Sequence, residues 1–360
     1  MTAGTLATAG AVPLRTAGRR LVGIDALRGL AAGLVVAQHV GELTSGTVRS
    51  LTRQGVQLGQ LGVLLFFLTS GYLVPASLER AGSLRRFWLA RVLRLYPAYW
   101  ACLVAVAVLH AAGRYRLPSG FGGGRDWLVE ATMFQHYAGV PDVVGVFWTL
   151  AFELAFYVTI SVLAVLGVQR RSVPLALLAV AAGLTLSALG RATGHHAPLG
   201  LADVASMFAG TVLWRVRQGA VPAVRGWVTY ATVGVGVQLL LLIQLAGHGT
   251  DTSTPDALEL RPVAVSWLVA YLLFALVVSR PPPARVLRPL ALTGLVSYSL
   301  YLVHPLLIAA VHGRVHGSPG RLAAEWVVGS SVAAAVGYRL VERPAVRLGR
   351  RLLGRGARAG

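Results

Sequence analysis

Ten stretches of mostly apolar residues, each close to 20 long, constrain this chain more than any other feature. They run over 21–42, 56–77, 92–112, 146–167, 173–190, 201–217, 227–247, 262–279, 289–312 and 322–342. About 20 such residues wound as a helix cover a hydrocarbon core roughly 30 Å thick, and a helix satisfies its backbone groups internally. The sequence therefore predicts an all-α fold, a polytopic membrane protein of about ten transmembrane helices. The stretches at 56–77 and 201–217 are the weakest, because each carries Gln or Asp near its start. There is no repeat of about 20–50 residues, nor a pair of Gly- or Pro-broken spans marking inverted halves.

Charge then sets the orientation. The chain holds 33 basic and 13 acidic side chains, yet only 13% of its 360 residues are charged. A soluble domain carries about 25%, so a disordered tail protein and an ordinary soluble domain are both excluded. Every basic residue is arginine. With both termini inside, 22 arginines fall in inner segments and nine in outer ones, while Arg28 and Arg339 lie within spans. That asymmetry satisfies the positive-inside rule and leaves the acidic residues Asp251, Asp256 and Glu259 outside, so the expected topology is N-in and C-in. Residues 1–20 lack the pattern of a cleaved signal and are expected to be a disordered cytoplasmic extension. The membrane domain covers 21–344, and 345–360 reads as a basic cytoplasmic tail. Arginines scattered over short loops do not make one basic face, so no nucleic-acid partner is expected. Cys102 has no cysteine partner, which leaves neither a disulfide framework nor a metal site.

Chemistry concentrates in a few spans. The first reads Gly23-Ile24-Asp25-Ala26-Leu27-Arg28-Gly29-Leu30 and ends in Gln38-His39. Arginine inside a span costs at least ~2.5–3.5 kcal/mol unless paired or solvated, and Asp25 stands three residues away on the same helix. Arg28 and His39 differ by 11 positions, close to three turns, so they share a face about 16 Å apart along the axis. Two readings stand at this point. Either both line one channel, or Arg28 snorkels inward and His39 sits at the outer interface. The longest outer loop, 113–145, carries Gly122-Gly123-Gly124, Trp127, His136 and Tyr137, and reads equally as a substrate-facing cap or an ordinary flexible loop.

Other spans narrow the choice. The second holds Phe66-Phe67-Leu68-Thr69-Ser70-Gly71-Tyr72, and the third opens Arg91-Val92-Leu93-Arg94-Leu95-Tyr96-Pro97-Ala98-Tyr99-Trp100. The fourth holds Trp148-Thr149-Leu150-Ala151-Phe152-Glu153 with Phe156-Tyr157. The ninth reads Ser297-Tyr298-Ser299-Leu300-Tyr301-Leu302-Val303-His304-Pro305, and the chain leaves the tenth through Glu342-Arg343-Pro344. From residue 23 to 344, these motifs together resemble the acyltransferase-3 family of integral-membrane O-acyltransferases. One departure is that Ala90 stands where an arginine often precedes Arg91, with Arg85 and Arg86 close by.

The resemblance implies transfer of an acyl group, commonly acetyl, from cytoplasmic acyl-CoA to a hydroxyl acceptor. A sugar, a glycan, a lipid-linked saccharide or a glycosylated metabolite such as a macrolide all fit. It places His39 at the catalytic histidine and Arg28 at a donor-associated arginine. A hydroxyl needs a base as it attacks a thioester, and histidine suits that role; an acyl-histidine intermediate is the variant. Glu153 is expected near the depth of His39, either orienting the imidazole or protonated and bonded to a neighbouring helix. Tyr157 shares its face. Tyr301 and His304 are candidates to orient the acceptor or stabilise an oxyanion, with Tyr298 in support. Ser70 lacks a nucleophile elbow and reads as a packing residue beside Gly71. Arg28, Arg91 and Arg94 are the expected phosphate ligands of CoA. The site calls for no metal. The expected location is the plasma membrane, with self-association open. The rival reading is a transporter in which Arg28, His39 and Glu153 form a substrate or proton pathway.

Overall fold

The computed structural model describes residues 14–193, 200–246, 260–311 and 317–355, and every regular element within them is helical. The first six helices are α1 (Leu14–Thr44), α2 (Gly46–Gln54), α3 (Leu58–Ala81), α4 (Leu84–Ala111), α5 (Gly123–Glu130) and α6 (Trp148–Val165). There follow α7 (Ser172–Thr193), α8 (Gly200–Arg217), α9 (Ala223–Ala246) and α10 (Leu260–Ser279). The chain ends with α11 (Ala284–Val311), α12 (Pro319–Gly337) and α13 (Arg343–Arg355). A 3-10 turn covers Gln135–Ala138, and a π-helical turn at Tyr338–Glu342 joins α12 to α13.

Each of the ten apolar stretches is a long helix. Seven of them, α3, α4, α6, α7, α9, α10 and α11, are long and apolar enough to cross a membrane. The other three are α1, α8 and α12, and each carries charge: Asp25 and Arg28 in α1, Asp203 and Arg215 in α8, Arg321 and Glu325 in α12. Helix α1 already begins at Leu14, so residues 14–20 continue the first helix. The basic tail likewise is helical as far as Arg355. Residues 1–13 and 356–360, and the acidic cluster Asp251, Asp256 and Glu259, lie outside the described residues.

The bundle is organised about α1 and α3. Helix α1 lies against α11 on one side and α3 on the other, and α3 in turn packs on α8 and α10. Two reciprocal glycine contacts set the spacing. A Cβ at Gly29 would collide with the Leu290 carbonyl of α11, and one at Gly294 with the Asp25 carbonyl of α1. The same geometry joins α3 to α8, where Gly71 faces Met207 and Gly210 faces Leu68. Small residues let backbones approach where lipid offers no hydrophobic incentive for association. Pro75 cannot donate to the Gly71 carbonyl one turn back, and Thr211 Oγ1 of α8 donates to it at 2.9 Å. The helices with the weakest apolar signal are thus interior ones: α8 is buried along most of its length, and α3 is the most enclosed of the seven apolar helices.

If these contacts hold the bundle, Gly29→Ala and Gly294→Ala should each cost about 1–3 kcal/mol, seen as a lower unfolding temperature in detergent. Gly33→Ala on the same α1, where a Cβ meets nothing within 4 Å, should leave that temperature unchanged or slightly raised.

Candidate active site

A cavity of about 440 Å³ opens among α1, α3, α4, α6, α11 and α13. Five arginines line it, Arg28, Arg80, Arg91, Arg94 and Arg350, against two carboxylates, Asp25 and Glu153. The local reasons are simple. Arg91 and Arg94 are one turn apart on α4, whose N-terminus is capped by Ser83 Oγ accepting from the Arg86 amide. Arg91 lies over the rings of Phe87 and Tyr157, at 5.4 and 5.2 Å, and its buried Nε has no hydrogen-bond partner. Among the described residues, no carboxylate comes within ion-pair distance of any of the five arginines. The cavity therefore presents guanidinium groups that are not neutralised by salt bridges, which is what an anionic ligand requires.

Two pairings anticipated from sequence are replaced by others. Asp25 and Arg28 lie in the same cavity without closing a salt bridge; Arg28 sits in the combined field of Arg94, Glu153, Asp25 and Glu342. Glu153 does not contact His39. Its Oε1 accepts from Tyr157 OH at 2.5 Å and from Ser70 Oγ at 3.0 Å. It is Thr149, one turn earlier on α6, that reaches the level of the ninth-span motif, so Glu153 falls to the arginine-lined end. Ser70 is accordingly a cavity residue that donates to Glu153, in addition to its place beside Gly71. Neither Arg85 nor Arg86 lines the cavity; both are exposed.

Phe66, Thr149 and Tyr301 also line the cavity and pack on one another. Tyr301 OH lies 2.8 Å from Thr149 Oγ1 and donates to the Val146 carbonyl at 3.1 Å. Phe66 meets the Tyr301 ring edge-on at 5.6 Å between centroids. Directly beyond this layer are two histidines. The Tyr301 and His304 rings are 6.0 Å apart, and those of His304 and His39 are 5.1 Å apart. His304 is fully buried, and its Nδ1 donates to the Leu300 carbonyl at 3.0 Å. A neutral ring so oriented has a bare Nε2, and that atom is 3.4 Å from Nδ1 of His39. His39 Nδ1 also lies 2.9 Å from the Val35 carbonyl, so its proton is shared between two acceptors. These partners assign the Nδ1–H tautomer to His39 and leave its Nε2 lone pair as the basic position. Tyr298 instead braces α11 against α4, its OH donating to the Leu95 carbonyl at 2.9 Å.

The long loop between α4 and α6 is held against the side of α4. Tyr96 OH, Tyr99 OH and Trp100 Nε1 of α4 donate to the carbonyls of Thr132, Glu130 and Ala131. The Glu130 side chain is wholly buried, with Oε1 accepting from Tyr99 OH at 3.2 Å and from the Val143 amide at 3.4 Å. Its Oε2 has no partner. Burial first, and the Asp142 carboxylate second, push the Glu130 carboxyl up to about 8.

Of the residues singled out from sequence, the structure brings Asp25, Arg28, Ser70, Arg91, Arg94, Glu153, Tyr298 and Tyr301 to one cavity lining, with Tyr157 hydrogen-bonded to Glu153 and with His39 and His304 beside Tyr301. Sequence reasoning missed Arg80, Arg350, Thr149 and Phe66 as lining residues. Thr149 and Phe66 lie inside motifs that were already in hand. Arg350 had only the amphipathic spacing of the tail as a signal.

The acyltransferase domain family matches residues 21–339 of the chain. Among curated proteins, "Acyltransferase MdmB" of Streptomyces mycarofaciens is 28% identical over 151 residues, covering 39% of this chain and 38% of its own. "Nodulation protein 10" of Rhizobium leguminosarum bv. viciae is 33% identical over 126 residues, 31% of this chain and 34% of that one. The peptidoglycan O-acetyltransferase OatA of Listeria monocytogenes is 28% identical over 151 residues, 37% and 22% of the respective chains. The chain thus spans well under half the length of the relatives it matches. No solved structure matches it.

The raised carboxyl of Glu130 makes the stability of this loop pH-dependent. Folding favours the protonated form, so its stabilisation is complete below about 4.5 and is lost as pH rises through about 8. Hydrogen exchange over residues 115–147 should accelerate across that window beyond its intrinsic base catalysis. In Glu130→Gln that extra acceleration should disappear.

Proposed function

The chain belongs to the acyltransferase family matched over residues 21–339, and from that premise we propose that it is an integral-membrane O-acyltransferase. It moves an acyl group, most simply acetyl, from acyl-CoA to a hydroxyl of a sugar, glycan, lipid-linked saccharide or glycosylated metabolite. The observation that carries this reading is continuity: an arginine-lined cavity leads along α1 to a layer directly beside the His39–His304 pair. A transporter would not need a bare imidazole nitrogen at the end of a phosphate-binding funnel.

In this reading ten helices cross the plasma membrane with both termini in the cytoplasm, which puts the five arginines at the cytoplasmic mouth. Arg28, Arg91 and Arg94 hold donor phosphates, and the pantetheine arm lies along α1 over the ~16 Å between Arg28 and His39. Phe66 and Tyr301 yield to admit the thioester. His39 Nε2 takes the proton of the acceptor hydroxyl while its oxygen attacks the carbonyl carbon. The tetrahedral oxyanion then collapses, the C–S bond breaks and the thiolate leaves. Tyr301 is the nearest hydroxyl donor for the oxyanion once it releases the Val146 carbonyl. His304 is a positioning residue: its Nε2 accepts from His39 Nδ1 and favours the cationic ring, a weaker form of the service a carboxylate gives in a hydrolase triad. Acceptor identity draws support from the peptidoglycan O-acetyltransferase among the relatives.

His39→Ala should lower transfer by about 10²–10⁴-fold while CoA binding is retained. Arg28→Ala should instead weaken CoA binding. His304→Ala should reduce kcat more than it raises KM and displace the acid limb of the pH–rate profile. In proteoliposomes, acyl-CoA should be consumed in proportion to acylated acceptor formed. Substrate flux without acyl-CoA consumption, or wild-type turnover in the His39 variant, would overturn the assignment.

A further inference from the structure

The cavity has two tiers of arginine, and the donor chemistry proposed above accounts for only one. Arg28, Arg91 and Arg94 are partly buried; Arg80, from the last turn of α3, and Arg350, from α13, are exposed at the rim. Two carboxylates, Asp25 and Glu153, face the inner tier, and both rim arginines are left without an ion pair. The neighbouring carboxylate, Glu79, does not serve Arg80, because it is taken by Arg215 at 2.5 Å. Clustering five guanidinium groups around one opening is electrostatically costly unless an anion of matching charge occupies it.

The tail is fixed in place to bring Arg350 there. The π-helical turn before α13 is anchored where Ser299 Oγ of α11 donates to the buried Glu342 at 2.7 Å. One helical step before Arg350, Gly349 is buried against α4, where a Cβ would stand 3.3 Å from Leu93 Cδ1. That close seat sets α13 along the same turn of α4 that carries Arg91 and Arg94. Arg343, Arg347 and Arg351 do not line the cavity, so Arg350 is set apart from these other arginines of the helix.

We propose that Arg350 and Arg80 form an outer phosphate clamp that makes this protein selective for a donor carrying a third, terminal phosphate. This rests on the reading of the cavity as an acyl-CoA site. From the thioester outward, such a donor presents the pantetheine arm, then a diphosphate, then a ribose 3′-phosphate. With the thioester end directed inward, the diphosphate meets Arg28, Arg91 and Arg94, and the 3′-phosphate falls at the rim. The tail helix is then a structural part of the donor site, and a donor lacking the 3′-phosphate leaves its arginines unpaired.

Calorimetric titration of the purified full-length protein with CoA and with dephospho-CoA tests this without knowledge of the acceptor. Wild-type protein should bind CoA about tenfold or more tightly than dephospho-CoA, as expected for a charge-assisted contact. Arg350→Ala and Arg80→Ala should weaken CoA binding by about that factor and leave dephospho-CoA nearly unchanged. Arg350→Lys should recover part of the discrimination. Arg91→Ala should weaken both ligands alike. Equal binding of the two ligands by wild type, or an undiminished preference for CoA in Arg350→Ala, would overturn the clamp while leaving the acyltransferase reading intact. Failure of wild type to bind either ligand would instead remove the reading on which it rests.

Discussion

Everything at the centre of this molecule depends on how closely four helix backbones approach one another in two pairs. Apolar side chains gain little by leaving lipid for protein, so helices in a membrane associate through van der Waals contact and hydrogen bonds. Glycines at 29 and 294 let α1 and α11 touch, and those at 71 and 210 do the same for α3 and α8. The consequence is positional. With α1 clasped between α11 and α3, Arg28 and His39 are carried into the protein interior. A guanidinium in hydrocarbon would be costly; in a polar cavity it is solvated. The close helix packing is therefore what makes the chemistry of α1 affordable.

Much of this was legible because the relevant signals are local or periodic. Ten apolar runs became ten long helices, and the spacing of Arg28 and His39 fixed their common face. What stayed hidden depends on tertiary offset. Depth counted along a single helix put Glu153 beside His39, but α6 enters so that Thr149 meets Tyr301, and Glu153 bonds Ser70 and Tyr157 instead. The partner of His39 lies 265 positions away, and no pattern within either span signals that the two rings meet. Arg80 and Arg350 looked like topology markers, since positive-inside reasoning treats all loop arginines alike. Their convergence on one rim is a property of the assembled bundle. Short helices such as α2, α5 and α13 also escaped, being too brief or too polar for a membrane-length window.

The two histidines show how a neutral pair acquires direction without a carboxylate. Each Nδ1 faces a backbone carbonyl one turn earlier in its own helix, Val35 for His39 and Leu300 for His304. Helical geometry alone thus sets both tautomers. Because His304 accepts at Nε2, the pair has a polarity, with the proton-accepting end at Nε2 of His39. An acid in place of His304 would hold the cationic form more strongly but would add a buried charge to the site.

The aromatic layer of Phe66 and Tyr301 also separates two polar regions of the bundle. The His39 and His304 rings adjoin a cavity lined by five arginines, with Phe66 and Tyr301 at the boundary. Phe66 and Tyr301 line the cavity, while neither His39 nor His304 is among its lining residues. An aromatic contact, and not distance, thus sets the two imidazoles apart from the arginine-lined space.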